Sequence, residues 1–132
     1  MVTIYKMLDP DTKQIRYIGK TTKTIAQRLN GHLHGRESGQ SQEMRDWLDG
    51  LIAAGKRPVM EQIAVVEDKQ SKSMELGIIY FYKQILKVSL FNGYKFPGAI
   101  PVCRIEDYDP KTEADAVKAI LADAPPVKFL LR

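Results

Sequence analysis

The sequence predicts a small α/β (α+β) domain: a three-stranded, mainly antiparallel sheet flanked by helices. Three observations predict it. Two strand-like runs, Val2–Leu8 (VTIYKML) and residues 14–19 (QIRYIG), flank the turn-forming segment DPDTK. A third apolar, β-branched run occupies Val59–Val66 (VMEQIAVV). Between and after these runs, apolar residues recur every three or four positions, the spacing of amphipathic helices.

In the first run, Val2, Ile4, Lys6 and Leu8 alternate with Thr3, Tyr5 and Met7. Asp9 and Pro10 suit the first two positions of a turn, so 2–19 reads as a β-hairpin. If Ile4 and Ile18 face a core, Tyr5 and Tyr17 share the opposite face of adjacent strands. The Lys/Thr-rich stretch after Gly19 reads as a tight turn. Thr24 followed by Gln27 then matches a capping box, and Ile25, Leu29 and Leu33 continue at four-residue steps in a helix ending near Gly35. Arg28 and His32 are also four apart, one position ahead of Leu29 and Leu33. That puts them on the flank of the buried stripe, within reach of the sheet edge.

A second helix is predicted over roughly 41–54, with Met44, Trp47, Leu48, Leu51 and Ile52 on its inner face. Gly55 and Pro58 stop it. The run 59–66 is apolar enough for a central strand. A third helix starts near Ser71 or Ser73 and runs to about Lys87, with Met74, Ile78, Phe81, Tyr82 and Ile85 at helical spacing. Glu75 would lie in its first turn, as a surface charge favoured by the helix dipole or as a placed ligand. Asn92 opens a turn-prone Asn-Gly pair. Residues 97–132 differ in composition and read as an extension, packed on or appended to a domain of residues 1–96. They hold a short capped helix over 112–124, stopped by Pro125 and Pro126, and a VKFLL segment suited to an edge strand or to docking.

Bulk properties are those of an ordinary globular chain: 132 residues, 44% hydrophobic and 27% charged. No apolar run approaches the ~18 residues of a membrane span, and no signal peptide is visible. The single cysteine, Cys103, cannot form an internal disulfide, which fits a reducing, cytoplasmic setting. Of the net charge of +4, residues 1–36 carry +5, residues 37–100 are neutral and residues 101–132 carry −1. The positive field is therefore concentrated on the segment holding both tyrosines, Arg28 and His32, and it favours a polyanion such as nucleic acid. Charge alone fits a solvated lysine surface equally well. His32 and His34 diverge on a helix, and there is no Cys/His cluster to complete a zinc site.

Taken singly, Tyr5 and Tyr17 are ordinary strand aromatics, Glu75 a surface charge and Asn92 a turn residue. Taken in order, with Arg28 and His32 between them, they make the chain resemble the GIY-YIG nuclease family. TIY at 3–5 is similar to the first half of the signature, with Thr3 in place of its glycine, and YIG at 17–19 is the second half. KT follows at 20–21, and RLNGH at 28–32 resembles the Arg-x-x-x-His helix. RPVMEQI at 57–63 is similar to the third strand, MELGII at 74–79 to the glutamate helix and LFN at 90–92 to the terminal asparagine. The resemblance spans about residues 2–93, and the tail GYKFPGAIP does not continue it.

This resemblance implies the GIY-YIG endonuclease fold and a metal-dependent DNA endonuclease leaving a 5′-phosphate and a 3′-hydroxyl, of the kind found in phages and mobile elements. It implies Tyr5 as general base, Tyr17 positioning water or phosphate, Arg28 stabilising the scissile phosphate and His32 accepting or relaying the tyrosine proton. Glu75 is implied as the ligand of one Mg²⁺ (or Mn²⁺). Two-metal sites hold ions ~3.5–4 Å apart and need several carboxylates, so a single carboxylate favours one ion. Lys20, Lys23, Arg28 and Arg36 are implied DNA contacts, and Gly19 and Asn92 are structural. At about 35 positions, residues 97–132 are short for a separate DNA-binding domain. Selectivity is therefore expected to be modest, or to come from a protein partner, a homodimer or DNA shape. The alternative is a non-catalytic module of the same fold that binds nucleic acid or protein. Retention of every chemical residue argues against it.

Overall fold

The computed structural model describes residues 1–34, 40–92 and 111–121. The elements are β1 (Val2–Leu8), β2 (Ile15–Thr21), α1 (Ile25–His34), α2 (Gln42–Ala53), β3 (Val59–Val66), α3 (Asp68–Tyr80) and α4 (Glu113–Leu121). A π-helical turn, Phe81–Ile85, continues α3. The predicted α+β class is the observed one: a three-stranded antiparallel sheet with four helices among the described residues.

The hairpin forms where DPDTK allows it. The Asp9 carboxylate accepts the N–H groups of Asp11 (2.9 Å) and Thr12 (3.1 Å), and Lys13 takes the left-handed conformation at φ 61°. β2 then runs through Lys20 to Thr21, so the first part of the Lys/Thr-rich stretch is strand and the expected turn falls at Thr22 and Lys23, where the Lys23 N–H donates to Thr21 Oγ1 (3.0 Å). The sheet order is β2-β1-β3, which corrects the expectation that 59–66 is central. β1 takes the centre because it buries side chains on both faces: Val2 and Ile4 on one, Tyr5 and Met7 on the other. β3 is an edge strand on which Glu61, Gln62 and Val65 are exposed.

Two cores result. Val2, Ile4, Ile15 and Ile18 pack against Met74, Ile78 and Ile79 of α3 and against Ala116 and Ile120 of α4. On the opposite face, Tyr5 and Met7 pack against Met44 and Leu48 of α2, with Leu29, Leu33, Trp47 and Phe91 partly buried around them. The second core is small and aromatic, and the polar cluster grows out of it.

α1 begins at its predicted capping box: Thr24 N–H donates to Gln27 Oε1 (3.0 Å) and Gln27 N–H to Thr24 Oγ1 (3.1 Å). Gly35, its expected end, lies outside the described residues. Ser41 caps α2 by accepting the Met44 N–H at 3.1 Å. Gly55 follows that helix at φ +71°, which glycine adopts without steric cost. Ile52, expected on the inner face, is 43% exposed, because α2 buries Met44, Leu48 and Leu51 and Ile52 lies past the edge of that stripe. α3 starts at Asp68 rather than at Ser71 or Ser73. Both serines are buried inside the helix, with Ser71 Oγ donating to the Asp68 carbonyl at 2.8 Å. Glu75 is therefore the eighth residue of the helix and not in its first turn, too far along for the N-terminal dipole to explain it. The π-helical turn, closed by the Leu86 N–H on the Phe81 carbonyl (3.0 Å), leaves Phe81 and Tyr82 both buried.

The described part of the C-terminal extension is built into the first core. Thr112 Oγ1 accepts the Asp115 N–H (3.1 Å) at the start of α4. Glu113 accepts from Lys6 Nζ at 2.8 Å and from the Tyr82 hydroxyl at 2.5 Å. Residues 122–132, with the expected Pro-Pro stop and VKFLL, lie outside the described residues, as do Arg36 and Cys103. Ile120→Ala, at a position 5% exposed, is expected to lower stability by about 2–5 kcal/mol, read from the urea midpoint. An unchanged midpoint would mean that α4 does not close this core.

Candidate active site

Tyr5 is held at the centre of the sheet, opposite Gly19 of β2, at an irregularity in the β1–β3 register between Ile4 and Tyr5. The phenol lies back across β2 over Gly19. A Cβ on Gly19 would collide with the Tyr5 hydroxyl, lie 2.5 Å from Tyr5 Cζ and 2.9 Å from Tyr17 Cε2. Both neighbours are rigid rings in a packed site, so Gly19→Ala is expected to push the phenol out of place. The expected cost is about 1–3 kcal/mol of stability by overpacking, with a fall in any activity that depends on Tyr5. Thermal melting and nicking assays read the two effects.

The capping box starts α1 at Ile25, and the four-residue step then stacks Arg28 and His32 toward Tyr5. Arg28 Nε donates to the Tyr5 hydroxyl oxygen at 3.1 Å, and His32 Nε2 lies 2.6 Å from the same oxygen. His32 was expected on the flank of the helix; it is instead buried, at 3% exposure, while Leu29 and Leu33 are only partly so. The aromatic cluster accounts for this: the imidazole stands edge-on to Tyr17 at 5.6 Å and 75°, and Tyr5 and Tyr17 are 6.4 Å apart. The other ring nitrogen, Nδ1, is 2.8 Å from Gln40 Nε2. Sequence reasoning missed Gln40. Gln40 lies past the predicted end of α1 near Gly35, so no helical spacing connects it to His32.

Burial pushes the Tyr5 phenol well above its ordinary value. The Arg28 hydrogen bond opposes the rise, and the nearby Tyr17 and Glu75 add to it. Glu75 reaches this cluster from α3, within electrostatic range of Tyr5, Lys20 and Arg28. Burial raises its carboxyl above the usual carboxylate range, and Lys20 and Arg28 oppose that rise. A partly buried carboxylate that burial makes costly to ionise is a place where a cation is welcome. Among the described residues there is no group of three or more His, Cys, Asp or Glu able to hold a metal. A lone carboxylate of this kind would suit only a hard divalent ion that keeps most of its waters and takes further ligands from a substrate.

Lys20, Lys23 and Arg28 line a pocket of about 310 Å³ beside this cluster, whose lining also includes Asp68 and Ser71 at the start of α3. Asn92 stands apart from the cluster and braces it. Its side chain accepts the Ile18 N–H (2.9 Å) and donates to the Ile18 carbonyl (2.7 Å), while the Phe91 N–H donates to the Arg16 carbonyl (2.7 Å). Residues 91–92 thus satisfy the outward-facing groups of edge strand β2 on either side of Tyr17. Arg36 lies outside the described residues.

This is an α+β domain in which Tyr5, Tyr17, Arg28 and His32 gather on one face of the sheet, with Glu75 in electrostatic range from α3. The family model of the GIY-YIG catalytic domain matches residues 1–94, and the chain belongs to the GIY-YIG family. That makes it a nuclease domain, with DNA as the implied substrate, in a family that generally depends on divalent metal. No curated protein and no solved structure matches the chain. No helix among the described residues is long and apolar enough to cross a membrane.

Proposed function

We propose that this chain is a metal-dependent DNA endonuclease that hydrolyses one phosphodiester at a time with a single Mg²⁺ or Mn²⁺, leaving a 5′-phosphate and a 3′-hydroxyl. The observation that carries this reading is the Tyr5 oxygen, buried and bonded by both Arg28 and His32, with the Glu75 carboxylate in electrostatic range.

Glu75 would hold the ion, which when bound supplies Lewis-acid stabilisation of the phosphoryl oxygen and of the departing oxygen. Tyr5 takes the proton from the attacking water. A free phenol, with pKa ~10, is rarely ionised at neutral pH, and burial makes matters worse here. The Arg28 guanidinium supplies positive field that opposes the effect of burial, and a cation held by Glu75 would add to it. Arg28 also meets the scissile phosphate, since its planar fork carries donors beyond the one on Tyr5. Tyr17 positions the water or the phosphate. Lys20 and Lys23, both exposed at the neighbouring pocket, contact flanking phosphates together with Arg36. Residues 1–96 form the nuclease domain, and the extension completes its core rather than reading DNA. Sequence selectivity is then modest or comes from a partner, a second copy or DNA shape.

Incubation with supercoiled plasmid and Mg²⁺ tests this function. Nicked circles that do not form in EDTA, and that ligase reseals directly, are the expected products. Binding without cleavage in any divalent ion would instead identify a non-catalytic module.

A further inference from the structure

His32 has two ring nitrogens, and what each one meets decides what the imidazole can do. Gln40 Nε2 lies 2.8 Å from Nδ1. A carboxamide nitrogen only donates, so Nδ1 accepts, and the neutral ring carries its proton on Nε2. Nε2 is the nitrogen 2.6 Å from the Tyr5 oxygen. The imidazole therefore donates to the phenol oxygen, which also receives the Arg28 Nε–H at 3.1 Å. With two N–H donors on one oxygen, Tyr5's own proton points away from both.

We infer that Gln40 is a positioning residue that sets the tautomer of His32, making the imidazole a hydrogen-bond donor to Tyr5 rather than the acceptor of its proton. This replaces the relay role that the family resemblance suggested for His32. An Nε2 that already carries a proton cannot take another, whereas two donors converging on an oxygen favour its anionic form. The tautomer serves a base that gives its proton to solvent and then holds negative charge in a buried place. Its benefit to catalysis rests on the endonuclease reading; the tautomer itself does not.

The test is ring-nitrogen NMR of ¹⁵N-labelled protein, without DNA or metal, at a pH above the ordinary histidine value of ~6.5. The expected result is a protonated Nε2 and a bare Nδ1 for His32. In Gln40→Leu, and in the longer Gln40→Met, that preference should weaken toward a mixture of tautomers. In Gln40→Glu, a carboxylate that only accepts should draw the proton onto Nδ1. In the plasmid assay the Leu and Met variants should nick roughly 10–100-fold more slowly, by analogy with the loss of partners that orient metal-bound histidines, with DNA affinity unchanged. A wild-type His32 protonated on Nδ1, or a tautomer that ignores all three substitutions, would overturn the inference. The inferred tautomer in a protein that never nicks DNA would leave this assignment standing and remove the endonuclease reading instead.

Discussion

Tyr5→Phe is expected to slow plasmid nicking by about 10²–10⁴-fold, the range spanned by loss of a general base, while DNA affinity stays close to that of the wild type. The ring is fully buried, in the core with Met7, Met44 and Leu48, so phenylalanine keeps the packing and removes one atom. That atom is the one on which Arg28 and His32 converge. Its loss leaves two buried N–H groups facing a carbon, which costs about 1–3 kcal/mol. The variant should therefore fold with a lower urea midpoint, so rates are compared under conditions where both proteins are native. Nicking near the wild-type rate would remove Tyr5 from the chemistry.

Glu75→Gln is expected to abolish nicking, retain DNA binding and stabilise the metal-free protein. The first two effects follow if Glu75 is the chain's carboxylate for the ion. The third follows from its burial. Its carboxyl is held above the ordinary range, chiefly by desolvation, so the folded protein binds that proton more tightly than the unfolded chain does. Stability then falls as pH rises from the ordinary carboxylate pKa to the raised one, and the deficit persists at every higher pH. Glutamine has a similar shape and no charge to bury. Near neutral pH without metal, Glu75→Gln should melt above the wild type. The gap should close as acid protonates the Glu75 carboxyl of the folded protein. Calorimetry across that pH range checks the sign, and a variant less stable than the wild type at every pH would mean the carboxylate is satisfied within the folded protein. A site of this kind gives up stability for function.

Much of this arrangement is legible in the residues because its determinants are local. The DPDTK turn and the alternation around it define the hairpin, and Thr24 with Gln27 marks where α1 begins. Once that start is known, the Arg28–His32 stacking follows from helical geometry. What sequence reasoning misplaced depends on contacts between distant residues. The centre of the sheet passes to β1 because both of its faces find partners, and apolar content alone cannot reveal how many neighbours a strand will have. α3 starts at Asp68 because Ser71 and Ser73 are buried within it, and a serine that resembles a cap gives no local sign of burial. Glu113 meets Lys6 across 107 positions of chain, a pairing invisible to any window. Gln40 is only eight positions from His32, but it lies past the predicted end of α1, where helical spacing no longer applies. Glu75 was identified by family resemblance and not by periodicity, which placed it in the wrong turn of the helix.

Single-turnover nicking of one plasmid by wild-type, Tyr5→Phe and Glu75→Gln proteins, at saturating protein and Mg²⁺, tests most directly whether these side chains form one phosphodiester-cleaving centre. The prediction is rapid conversion to nicked circles by the wild type and essentially flat traces for both variants, with all three proteins bound to the DNA. Equal rates for wild type and Glu75→Gln would contradict it.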